Sequence, residues 1–203
     1  MKKNLLITSV LAMATVSGSV LAAVTNGQLT FNWQGVVPSA PVTQSSWAFV
    51  NGLDIPFTPG TEQLNIPLDS NKDITARSVK PYDFFIVPVS GNVTPGAPVT
   101  RDTSANINSV NAFLSSVPVS NGFVGNKQLT LSTAVEAAKG EVAITLNGQA
   151  LKVGSASPTV VTVASNKKES HISIDMNAKA AAADVAEGAA INFVAPVTFA
   201  VDI

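Results

Sequence analysis

His171 is the only histidine in 203 residues, and the chain has no cysteine. An imidazole acts as a base or a metal ligand only with suitable partners, and here it has no second histidine and no thiolate. It heads the alternating run His171, Ile172, Ser173, Ile174 and reads as a solvated strand-end residue. Asp69-Ser70-Asn71-Lys72-Asp73 opens like a calcium loop, since Asp69, Asn71 and Asp73 alternate. Ile74 stands in place of that loop's sharp-turn glycine and Lys80 in place of its closing bidentate glutamate. A polar turn is the expectation. There is no Gly-x-Ser-x-Gly elbow, phosphate loop or dinucleotide fingerprint, and no acid-base pair can be assembled. The chain is expected not to be an enzyme, with no catalytic, cofactor-binding or metal residues and no cofactor; a secreted hydrolase is disfavoured. Asn92-Val93-Thr94 has the form of a glycosylation acceptor. Trp47, Phe49 and Tyr82 are the residues that could stack on a sugar, but Trp47 and Phe49 lie two apart and are expected to share a buried strand face.

The elements that must position these residues are strands. Short stretches rich in Val, Ile, Thr and Phe alternate apolar with polar between Pro, Gly and Asn. The clearest are Leu29 to Val37, Trp47 to Val50, Tyr82 to Val89, Gln128 to Val135, Glu141 to Val153, Thr159 to Ala164, His171 to Met176 and Ile191 to Ile203. Asn147-Gly148 within the fifth suits a tight hairpin, because both residues tolerate positive φ. Strands at this spacing argue for an antiparallel sandwich, so the fold class is all-β. The alanine-rich stretch Asn177 to Ala190 is the exception and is expected to hold a short helical turn ended by Gly188. Pro-rich stretches at Val37 to Pro41, Pro56 to Pro59 and Val93 to Pro98 read as surface loops.

Lys2 and Lys3, an apolar run from Leu5 to Val16 and small residues before Ala22 have the three parts of a secretory signal peptide. Residues 1–22 are read as that signal, with a cut after Ala23 as the alternative. Of 203 residues, 181 remain, enough for one core. With Lys2 and Lys3 removed, 10 basic residues face 13 acidic ones, which predicts no nucleic-acid partner. In an oxidising compartment a chain without cysteine must rely on packing and strand pairing. Only 12% of residues are charged and 46% are apolar, a surface suited to being covered by copies of itself.

Two alternations are longest. From Thr25 to Gln34 the odd positions Gly27, Leu29, Phe31 and Trp33 are glycine or large and apolar, while the even ones are polar. Exposing three such side chains would forgo about 1.5 to 3 kcal/mol each, so the ribbon needs a groove. Strand addition answers that need, with main-chain bonds for affinity and alternate side chains in pockets. At the other end Ile191, Phe193, Ala195, Val197, Phe199, Val201 and Ile203 alternate without interruption, with Pro196 inside the run. Either ribbon alone also fits an ordinary strand of a closed sandwich.

The run Asn26-Gly27-Gln28-Leu29-Thr30-Phe31 followed by Gly35-Val36-Val37 resembles the start of chaperone-usher pilins. The mature chain as a whole is similar to the coli surface antigen fimbriae of enterotoxigenic enterobacteria. The resemblance implies an immunoglobulin-like antiparallel sandwich that is incomplete, missing one strand, and completed by donor-strand exchange. It divides the chain into the signal at 1–22, a donor extension running into the first strand at 23–37 and a pilin domain at 38–203. It makes Gly27, Leu29, Phe31 and Trp33 the donor residues, with Thr25 seating last. The strand from Ile191 to Ile203 becomes the edge that faces a chaperone and then the incoming donor. It further implies export through the periplasm to a cell-surface fimbria that is a virulence factor supporting adhesion to host epithelium. The implied partners are further copies of the chain, a periplasmic chaperone, an outer-membrane usher, a minor tip pilin and a host glycan or glycoprotein receptor. Asp202 replaces the penultimate tyrosine of many relatives, Gly188 lies upstream of their strand glycine, and their disulfide is absent. A secreted monomeric all-β module that binds glycans is the alternative reading.

Overall fold

The computed structural model describes residues 25–32, 46–186 and 188–203. Among them are thirteen strands and no α-helix. In chain order these are β1 (Thr25–Asn32), β2 (Trp47–Val50), β3 (Leu64–Asn65), β4 (Ile74–Ser78), β5 (Tyr82–Pro88), β6 (Ser109–Leu114) and β7 (Val119–Asn121). There follow β8 (Thr130–Leu131), β9 (Glu141–Leu146), β10 (Gln149–Ala150), β11 (Thr159–Val161), β12 (Ser170–Ala180) and β13 (Asn192–Asp202).

One sheet has the order β1-β13-β6-β11, with β7 also on β13; the other runs β10-β9-β12-β4-β3, with β5 on β12, β2 on β5 and β8 on β9. All pairings between strands are antiparallel except β8 with β9. The protein is therefore all-β, a sandwich of two sheets closed over one core. Phe199 of the first sheet meets Phe49 of the second at 5.2 Å between ring centroids and Phe84 at 6.0 Å. Period-two patterning makes this work: β13 buries every second residue from Phe193 to Val201, and β6 buries Val110, Ala112 and Leu114.

The Asn147-Gly148 hairpin forms as a two-residue turn, with φ of 48° and 77° and Gln149 opposite Leu146. The alanine-rich stretch holds the expected short helical turn but gives its first four residues to a strand. Asn177 to Ala180 continue β12, where Ala178 pairs on both edges and is buried, and only Ala182–Asp184 form a single 3₁₀ turn. Helix propensity loses there to two ready-made strand edges. Of Gln128 to Val135 only Thr130 and Leu131 are strand. β3, β4, β6 and β7 are elements the sequence pattern did not reveal. Residues 1–22 and 33–45, with Trp33 and the first Pro-rich stretch, lie outside the described residues.

Candidate functional site

β1 sits in a buried seat of which β13 builds one wall. The carbonyls of Pro196 and Asp202 accept from the N–H groups of Ser115 (2.9 Å) and Asn108 (2.8 Å) on the β6 side. In a regular strand alternate residues face opposite edges, so Ala195, Val197, Phe199 and Val201 turn their backbone groups towards β1. Pro196 is tolerated because its nitrogen faces the interval between β7, which pairs up to Val194, and β6, which pairs from Val197.

β1 lies antiparallel along that edge, with Thr25 opposite Val201, Gly27 opposite Phe199, Leu29 opposite Val197 and Phe31 opposite Ala195. Gly27, Leu29 and Phe31 are buried, the last two at 1% and 0% exposure. Phe31 packs on Tyr82 and Phe84, at 5.0 and 6.1 Å between centroids. Burial pushes the Tyr82 hydroxyl well above its ordinary range, and it donates to the carbonyl of Gly60 at 2.7 Å. The floor under Gly27 is the indole of Trp47: a Cβ at that position would overlap Cη2 and come within 3.0 Å of Cζ2. The indole is itself held edge-on to Phe49 at 5.0 Å. On the wet face, the amide of Gln28 donates to Ser115 Oγ at 3.0 Å, and that hydroxyl shares a 2.9 Å hydrogen bond with Thr198, the residue opposite Gln28.

Sequence reasoning thus names both walls of one site. Gly27, Leu29 and Phe31 are brought opposite Phe199, Val197 and Ala195, with Val201 opposite Thr25; Phe193 is buried on the same face of β13, beyond the end of the pairing. Ile191 and Ile203 fall just outside the ends of β13, the former 7% exposed and the latter packed on the core from its margin. The ribbon, expected to find its home in another molecule, occupies the groove of its own chain. The Trp47 floor and β6 were missed. Period two does mark β6 through Val110, Ala112 and Leu114, but a short run with no flanking glycine or proline gives little signal.

The remaining candidates do not assemble into a site. His171 is an exposed second residue of β12 whose Nε2 lies 2.5 Å from Oδ1 of Asp83, with its ring 5.1 Å from Phe85. Asp69 closes a polar turn, accepting from the backbone of Asn71 (2.8 Å) and Asp73 (3.0 Å). Among the described residues no group of three or more His, Asp or Glu is placed to hold a metal. Trp47, Phe49 and Tyr82 are core residues and offer no face to a sugar. No family model matches the chain, and no solved structure matches it.

Proposed function

We propose that this chain is the structural subunit of an adhesive surface fimbria, polymerised by donor-strand exchange. In this reading the sandwich is immunoglobulin-like and lacks one strand of its own. β1 of each subunit, continuing into Trp33, fills the β13-edged groove of a neighbour. The observation that carries the reading is the seat of β1: a glycine over an indole, two fully buried side chains and a row of β13 backbone groups that only an added strand can pair. Closed monomer and exchanged polymer make the same contacts, as in domain swapping; the closed form is the state in which a subunit protects its own groove. A periplasmic chaperone would hold the groove open, an outer-membrane usher would effect the exchange, and a tip pilin or the shaft itself would meet a host receptor.

The test is to express Phe31→Asp beside the parent chain and examine cells by electron microscopy and extracts by gel without heating. A carboxylate cannot enter the Tyr82–Phe84 pocket without a large desolvation cost. Export should continue while fibres and the heat-labile ladder of oligomers disappear. Fibres of normal length from Phe31→Asp, or a parent chain that stays monomeric under all conditions, would defeat the proposal.

A further inference from the structure

β6 turns one aromatic ring away from the core. Val110, Ala112 and Leu114 face inward, so Asn111 and Phe113 stand on the outer face of the first sheet. Phe113 is half-buried there, and among the described residues no second ring packs on it. Thr198 of β13 lies opposite Phe113, and Gln28 of β1 lies opposite Thr198. Beside the ring one hydrogen-bonded chain crosses all three strands: the Gln28 amide donates to Ser115 Oγ at 3.0 Å, and that hydroxyl shares a 2.9 Å bond with Thr198 Oγ1. Ser115 comes two residues after Phe113 and Asn111 two before it, so a hydroxyl and an amide flank the ring along the strand. Charged residues stand at the rim. Asp202 lies opposite Ser109 at the far end of β13, and Lys152 accepts from the Leu114 N–H through its carbonyl at 2.9 Å. The groups around the ring itself are uncharged.

We infer that this patch is a carbohydrate-binding platform built across β1, β13 and β6. A sugar ring presents an apolar C–H face and a girdle of hydroxyls that both donate and accept. The Phe113 ring meets the first; side-chain amides and hydroxyls, which also work in both directions, meet the second. The chain from Gln28 through Ser115 to Thr198 is already in place, so binding has little side-chain ordering left to supply. Gln28 comes from β1, which makes the platform complete only while β1 lies in its seat. That holds for β1 of the same copy and, under the proposed exchange, for β1 of a neighbour; the inference does not depend on which. A sugar bound here stabilises the seated strand, because it binds that state in preference to the vacated one.

The experiment applies the purified full chain to an array of neutral and sialylated oligosaccharides and measures the affinity of a bound member by titration. Phe113→Ala and Gln28→Ala should each weaken binding about five- to tenfold, the effect of losing one ring contact or one hydrogen bond. Phe113→Tyr, which keeps a ring, should bind like the parent. Saturating sugar should slow protease cleavage within β1 of the parent, and less so in Gln28→Ala. An array with no bound member, or an affinity that neither Phe113→Ala nor Gln28→Ala changes, overturns the platform. A strict requirement for the sialic acid would move the contact to Lys152 and overturn it as well. Cleavage of β1 that bound sugar does not slow overturns the link to the seated strand. None of these results bears on donor-strand exchange, which is read from fibres.

Discussion

Gly27 and Trp47 define the register of β1 by exclusion. Slipping the strand by two residues would drive Leu29 or Thr25 onto the indole, and slipping by one would turn every buried side chain to water. Gly27→Ala adds a methyl where the indole already stands. Overpacking of this kind costs about 1–3 kcal/mol. We expect Gly27→Ala to melt several degrees lower than the parent and to expose β1 to protease. Adding Trp47→Phe should recover part of the loss, although that change alone is destabilising. Additive penalties in the double-mutant cycle would show that the two side chains do not share a pocket.

At the scale of elements, β1 is joined to the sandwich mainly through β13, whose other edge β6 and β7 already occupy. Removing it leaves an unpaired edge beside an open apolar groove, the arrangement most prone to capture another strand. A chain lacking residues 1–32 should be unstable or self-associating, and a synthetic peptide spanning Thr25–Asn32 should restore cooperative melting. The same peptide with Gly27→Val should not. Equal rescue by both peptides would mean that the groove reads backbone alone. Both ribbons of this site were legible because each is long and strictly alternating. β3 and β7, of two and three residues, were not; strands so short exist because a neighbouring edge recruits them, and no local pattern records that edge. The Asn177–Ala180 stretch misled for the same reason, since alanine's helix preference is weak beside the strands that flank it on both sides.

Across the whole molecule, ion pairs and carboxylate caps tie loops to the sheets. The Lys139 ammonium and the N–H of Ala182 hold the Asp73 carboxyl below its ordinary range. Ser104 does the same for Asp102, Arg77 for Glu136 and the Ala138 N–H for Glu141. With folded-state values depressed, the unfolded chain binds more protons in acid. The associated stability is complete above the ordinary carboxylate range and is lost as pH falls through the folded values. The melting temperature should be level from about pH 5 to 8 and decline below about pH 4. Glu136 is exposed and Asp73, Asp102 and Glu141 are only partly buried, so each contributes modestly; Asp73→Asn should make the acid limb slightly shallower. A melting temperature that holds level to about pH 2 would contradict this.

The sequence by itself determined the β class, the two alternating ribbons and the inward identity of Leu29, Phe31, Phe193, Val197 and Phe199. These follow from period-two patterning and residue chemistry, which are local. Tertiary structure alone decided that the ribbons are each other's neighbours, that Gly27 rests on Trp47 and that β6 takes the far edge of β13. Gly27 and Phe199 are 172 residues apart in the chain, and alternation says which side of a strand is apolar without saying which strand lies beside it. Only the closing of the two sheets over one core selects that partner.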